Sequence, residues 1–325
     1  MTRTSRPPRI AAIGMASWDT LIVVDRYPAP GAYAEVLQTV AAPGGTTTNT
    51  AAALARLGAA VTLRAVVGDD ASGYALRQEM AGLGVDVSGV TTHAHLATDA
   101  STILVSAEPL DRTILWHRGA MLVKGDRLDI AALFGHDVVL LDVADMPLLH
   151  FLTDLPAHTR PDTRLLGTMT YLADPGAPDA LEIALRFDTL VGNQRQYKLI
   201  TGADSDEGAL QHIRTRMRGA NLRTAIQTRG PDGCRIVTHD EEWTIPAFPT
   251  DVVDPTGAGD AFTAGIAWGM ARRWSWPRTG RFANALGALA IRSLGAQAGQ
   301  PSMTDVEALL ATRGIGGLEH GPNAY

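Results

Sequence analysis

The sequence predicts an α/β fold: a mostly parallel central sheet with helices on both faces, and a small antiparallel β lid. Two observations carry this. Along most of the 325 residues, short apolar runs of strand length alternate with Ala- and Leu-rich helical stretches. That is the pattern of parallel strands joined by helical crossovers. An early group of strand-like runs breaks the alternation, being more polar and separated by turn residues, as a separate antiparallel layer would be.

Taken in order, residues 10–15 form a short apolar run expected to be a buried strand. Runs 21–24, 35–40, 101–105 and 113–116 are the lid strands, with turns at Pro28, Pro30 and Gly31 and again at Glu108, Pro109 and Asp111. Residues 49–57 read as a helix ended by Gly58, 61–67 as a strand, and 73–83 as a helix stopped by Gly84. Strands at 138–142, 164–167, 189–191 and 224–227 follow, with helices at 180–187 and 207–219 between them. Helices at 261–271 and 281–293 complete the body. There is no internal repeat or low-complexity linker, so a single domain over 1–313 is expected, its lid formed by about 20–43 and 96–118. The Gly-rich tail 314–325 is expected to be poorly ordered.

Composition narrows the function. Hydrophobic residues make up 46% and charged residues 19% of the chain, as in an ordinary globular protein. The net charge of −6 and scattered basic residues argue against nucleic acid and against an anionic membrane surface as partners. One cysteine, Cys234, excludes an internal disulfide and fits a reducing cytoplasm. Arg3, Arg6 and Arg9 imitate the start of an export signal, but the apolar stretch after them is broken by Gly14 and ends at Asp19. No apolar run has membrane-spanning length, so a cytoplasmic protein is expected. His93 and His95 lack a third ligand nearby, which speaks against zinc.

The chemistry concentrates in Asp254-Pro255-Thr256-Gly257-Ala258-Gly259-Asp260, followed by the small apolar run Ala261-Phe262-Thr263-Ala264-Gly265. Small residues let backbone N–H groups approach an anion. A helix starting there points its positive end at that anion. Asp260 stands at the junction, where a carboxylate can take a proton from an attacking hydroxyl. No Gly-Lys-Ser/Thr follows, and Phe262 occupies the place of a third glycine, so this is neither a P-loop nor a dinucleotide fingerprint. Upstream, Gly44-Gly45-Thr46-Thr47-Thr48-Asn49 precedes a helix, and Asp19 follows the first strand. Alone, the glycine pair with Asn49 reads as a helix cap and Asp19 as a surface residue.

Together these sites resemble the ribokinase family, also called PfkB-type carbohydrate kinases, over roughly residues 10–310. Asn193, the Thr228-Arg229-Gly230 turn and Asn284 support the match. The resemblance implies a ribokinase-like three-layer fold and an ATP-dependent kinase acting on a sugar hydroxyl. It assigns Asp260 as general base and Gly257, Ala258 and Gly259 as an anion hole. Asp19, Gly44, Gly45 and Asn49 become substrate contacts, with Asp145 as a further substrate carboxylate. Asn193, Thr228, Gly230 and Asn284 become nucleotide contacts. Asp254 and Thr256 match residues around a monovalent cation, K+, in some members. The lid implies closure over substrate and a homodimer contact. One departure concerns Mg2+: the family pattern Asn-x-x-Glu reads Asn193-Gln194-Arg195-Gln196 here. Gln196 keeps an oxygen for a metal-bound water but loses the charge that favours a hard cation.

Two other functions fit the same residues. A nucleoside kinase would use Trp18, or Trp116 beside His117, to stack on a base. A non-catalytic sugar or nucleotide sensor would bind the same ligands without consuming ATP. Arg112 and Arg118, if they face the cleft, favour an anionic substrate.

Overall fold

A computed structural model describes residues 6–108, 111–155, 162–174 and 179–312. Arg3, Pro109 and the tail 314–325 lie outside them.

Thirteen strands form two sheets among the described residues. Strands β1 (Arg9–Gly14), β2 (Ser17–Val24), β3 (Val36–Gly44), β4 (Ala60–Gly68), β5 (Asp86–His93), β6 (Asp99–Ser106) and β7 (Asp111–His117) come first. They are followed by β8 (Val138–Asp142), β9 (Arg164–Thr168), β10 (Thr189–Asn193), β11 (Thr224–Thr228), β12 (Cys234–Thr238) and β13 (Glu242–Ile245). The large sheet has the order β13-β12-β11-β10-β9-β8-β1-β4-β5. Its strands from β11 to β5 pair in parallel, and β12 and β13 add an antiparallel edge.

Alternate residues of the central strands feed two separate cores, which makes the fold three-layered. Ile10, Ala12, Val138 and Leu140 join one apolar cluster. Ala11, Ile13, Val139 and Leu141 join the other. On the first face pack α1 (Thr46–Arg56) and α2 (Ala71–Gly82). On the second are α3 (Ile130–Leu133), α4 (Met146–Asp154), α5 (Ala180–Ala184), α6 (Gln194–Thr201) and α7 (Asp206–Met217). The first face is completed by α8 (Ala258–Ala271), α9 (Trp276–Ala290) and α10 (Met303–Thr312). Every residue of α8 from Ala261 to Met270 is buried, so this helix runs through the interior rather than along a surface. Its small residues admit α1 and α9 closely: a Cβ on Gly265 would come within 2.6 Å of Ala283 Cα.

The second sheet has the order β3-β2-β6-β7. Its outer pairings, β2–β3 and β6–β7, are antiparallel, and the middle pairing β2–β6 is parallel. Leu21, Ile103 and Val105 form its small core, while every residue of β7 is exposed. It stands over the carboxyl-terminal ends of the central strands, where α/β folds bind ligands.

Candidate active site

The ends of β1, β8, β9, β10 and β11 open into a cleft of about 570 Å³ whose far wall is the small sheet. The cleft collects the candidates from both glycine motifs: Asp19, Gly45 and Asn49 from one, Thr256, Gly257, Gly259 and Asp260 from the other, with Asn193, Gln196 and Thr228 towards one end.

Asp260 is the third residue of α8. Gly257 caps that helix in the left-handed region, with φ 82°, and a Cβ there would approach Ala296 Cα to 2.8 Å. Only glycine fits both demands. Gly259 and Asp260, in the first turn of α8, line the cleft, and the N–H groups of a helix's first turn have no intrahelical acceptor. Asn49 Nδ2 donates to Asp260 Oδ2 at 2.8 Å, and Gln297 Nε2 donates to Asn49 Oδ1 at 3.1 Å. This relay fixes which way the Asn49 amide points and aims the carboxylate. Burial pushes the Asp260 carboxyl up to about 7. The Asn49 amide works against the shift, the negative charge of Asp142 adds to it, Arg112 opposes it and Asp19 adds a little more.

Asp19, on β2, accepts from Ser17 Oγ at 2.8 Å and from Ser101 N at 3.1 Å. Burial raises its carboxyl above the usual range despite those bonds. Gly44 lies against this side chain, and any Cβ there would overlap the carboxylate. Gly45 caps α1 with φ 86°.

At the other end, Asn193 caps α6. Its Oδ1 accepts from Gln196 N at 2.9 Å, and Gln196 Oε1 accepts from Asn193 N at 2.8 Å. The two amides thus close a reciprocal capping box. Thr228 Oγ1 reaches Gly192 O at 3.5 Å.

Several expectations need correction. Asp145 does not line the cleft; its Oδ1 accepts from Leu148 N and Lys124 N and caps α4. The carboxylate that faces the cleft from this strand is Asp142, missed because it ends an apolar run that reads only as buried strand. Asn284 does not line the cleft either. Its Nδ2 donates to Ile245 O and Pro246 O, both at 3.0 Å, tying α9 to the sheet edge. An Asn284→Leu variant is accordingly expected to lose about 1–3 kcal/mol of stability in a denaturant titration, with nucleotide affinity unchanged. Gly230 opens a tight turn beyond Thr228, outside the cleft lining. Ala258 begins α8 and is not itself a lining residue.

The metal candidates are engaged by the protein. Asp254 Oδ1 accepts from Thr256 N and Oγ1, and Oδ2 from Gly295 N. The carboxylate binds the Thr256 turn to the loop at Gly295. Gln196 Oε1, expected to be available to a metal-bound water, is held by Asn193 N–H, and the remaining Nε2 is a donor. No group of three or more metal-ligating side chains occurs among the described residues.

On the lid, Arg112 lines the cleft, whereas Arg118 lies 4.5 Å over the Trp116 ring. Trp116 also faces the cleft, and its Nε1 donates to both oxygens of Asp99 at 2.9 and 3.0 Å. Trp18 packs against the core of the first helical face instead. Asp99 and Gln297 position other groups, and nothing in their local sequence marks them.

Known proteins resemble the chain over most of its length. The profile of the pfkB family carbohydrate kinases matches residues 8–303. Ribokinase from Bacillus subtilis is 30% identical over 311 residues, covering 93% of this chain and 99% of that protein. Aminoimidazole riboside kinase from Salmonella typhimurium is 27% identical, covering 84% and 89%. Among solved structures, Arabidopsis thaliana ribokinase complexed with ribose and ATP superposes with a TM-score of 0.78 at 21% identity, covering 94% and 99%.

Proposed function

The chain belongs to the pfkB family of carbohydrate kinases, and on that premise we propose that it transfers the γ-phosphoryl group of ATP to a hydroxyl, a primary one, of a small sugar or sugar-like substrate. The family is one of phosphotransferases. The observation that carries the finer reading is the Asp260–Asn49 pair at the mouth of α8. A base, its orienting amide and a helix N-terminus meet within one cleft.

In this reading Asp19 and Asn49 hold substrate hydroxyls and turn the reacting one towards Asp260. The substrate oxygen attacks the γ-phosphorus, its proton passes to Asp260, and the bond from phosphorus to the β–γ bridging oxygen breaks to release ADP. N–H groups around Gly257, Ala258 and Gly259 stabilise the charge on the transferring group. Asn193, Thr228 and Gly230 flank the nucleotide end. Magnesium carried on the nucleotide phosphates would supply charge neutralisation at the end of the cleft flanked by Asn193 and Gln196. The lid, 20–43 with 96–118, closes over the cleft and limits loss of phosphoryl groups to water. Its exposed Val36, Leu37 and Leu115 support a homodimer formed through this sheet.

A nucleoside acceptor is a second reading, favoured by Trp116. Asp99 holds its indole against the cleft wall, where a base would stack. ADP release from D-ribose, D-fructose and inosine separates the two readings. Turnover of none of them, at any magnesium concentration, would count against both.

Gln196→Glu is expected to lower the magnesium concentration needed for half-maximal turnover several-fold. One glutamate oxygen keeps the bond from Asn193 N–H, and the other replaces the Nε2 donor with negative charge. An unchanged magnesium titration would show that this position does not influence the metal.

A further inference from the structure

Three aspartates, Asp99, Asp142 and Asp254, are buried to 3% exposure or less among the described residues. Two are well served. Asp99 accepts from Trp116 Nε1 and Gly119 N, and Asp254 accepts three donors. Asp142 differs. Its Oδ2 accepts from Thr46 Oγ1, but Oδ1 has no partner, and neither has the neighbouring hydroxyl of Thr168. No arginine or lysine within salt-bridge distance compensates its charge among the described residues.

The placement of this side chain is not an accident of packing. Asp142 is the last residue of β8, next to β1 in the middle of the sheet, and it lines the floor of the cleft with Thr46, Thr168 and Thr170. Burial raises its carboxyl above the usual range; Thr46 bonds Oδ2, and the hydroxyls of Thr168 and Thr170 stand near enough to oppose the shift in part without meeting Oδ1 in hydrogen-bonding geometry. A buried acceptor left unmade costs about 1–3 kcal/mol, and more when charged. Such a group persists in a site when a ligand completes it.

We propose that Asp142 is a specificity-determining residue: its free Oδ1 accepts a hydrogen bond from a hydroxyl of the phosphoryl acceptor, one separate from the hydroxyls read by Asp19 and Asn49. The preferred acceptor is thus a polyhydroxylated molecule with a donor directed at the floor between β8 and β9. Thr168 Oγ1 offers that same hydroxyl an acceptor or donor in return. This rests on the kinase reading above, and the experiment separates the two.

Wild type, Asp142→Ala and Asp142→Asn are assayed with ATP and magnesium on D-ribose, D-fructose and inosine, each beside analogues lacking one hydroxyl. For wild type, removing one particular hydroxyl raises KM by at least about tenfold, because a site built to bond a hydroxyl rejects its absence. In Asp142→Ala that gap closes to within about twofold through a higher KM for the parent, with kcat largely kept. Asp142→Asn, which retains an oxygen, keeps part of the gap. A gap unchanged in Asp142→Ala overturns the proposal. Thermal melting supplies a readout independent of turnover. Asp142→Asn removes a buried charge at constant size and melts at or above wild type at pH 7. A markedly lower melting temperature would make Asp142 a structural residue and overturn the proposal, even if none of the three acceptors is turned over. That last result would fault the kinase reading instead.

Discussion

An Asp260→Asn variant is expected to turn over at least about a hundredfold more slowly than wild type, measured by ADP release at saturating sugar, while KM for the sugar changes little. The amide has the same shape and can still meet Asn49, but it cannot accept the hydroxyl proton. The pH profile adds a second signature. Burial holds the Asp260 carboxyl at about 7, and only the ionised form acts as base. Wild-type kcat/KM should therefore fall about tenfold per unit below pH 7, and the variant should lose that limb. Stability moves in the opposite sense. A carboxyl raised from 3.8 to about 7 binds its proton more tightly in the folded protein than in the unfolded chain. Its contribution is most favourable below the unfolded value and is lost as pH rises from about 4 through 7. Asp260→Asn should consequently melt higher than wild type at pH 8. Near-wild-type turnover, or a lower melting temperature at pH 8, would remove Asp260 from its assigned role.

The parts legible in the sequence were those where one local pattern dictated one structure. The apolar runs at 138–142 and 224–227 read as buried strands because both of their faces meet cores, and β8 and β11 stand there. The lid could be separated from the body because its strands are more polar and come in two pairs, β2–β3 and β6–β7, each without a helix inside it. Outer elements were harder to read. Strand β5 carries Asp86, Ser88, Thr91 and Thr92 and buries only Val90, so its hydrophobic signal is weak and it went unrecognised. The edge strands β12 and β13, only five and four residues long, passed unread for a similar reason.

The site divides along the same line. Glycines at a strand-to-helix joint announce a tight backbone approach, and Gly44, Gly45 and Gly257 all fulfil it. Long-range pairings leave no such trace. Gln297 is 248 residues from Asn49, and the two meet only because the loop before α10 returns to α1. Asp145, expected as a substrate carboxylate, caps a helix, and Asp142, three residues before it, lines the cleft instead. The deciding factor is the end of β8: Asp142 is still on the strand and faces the cleft, while Asp145 has passed into the cap of α4. Gln196 shows the limit of reading one side chain at a time. Its amide oxygen is spoken for by Asn193 N–H, a bond that a motif comparison does not display.

Gly44→Ala should raise KM for the phosphoryl acceptor about 10- to 100-fold while leaving the affinity for ATP unchanged. The added methyl would overlap the Asp19 carboxylate. The backbone cannot retreat, since Gly44 pairs with Ser17 on β2, the strand that also carries Asp19. The carboxylate must therefore rotate away, breaking its bonds from Ser17 Oγ and Ser101 N. A hydrogen bond to a charged group contributes about 1.5–3 kcal/mol, the equivalent of roughly 10- to 150-fold in affinity when substrate loses it. Gly58→Ala provides the contrast. Gly58 has φ 89° with nothing within 4 Å of a new Cβ, and it lies at the end of α1 remote from the cleft. That variant should lose about 1 kcal/mol of stability from the left-handed backbone and keep its KM. If both variants raise KM alike, the effect of Gly44→Ala is general loosening of the fold. If only Gly44→Ala does, the glycine is there to leave room for the Asp19 carboxylate.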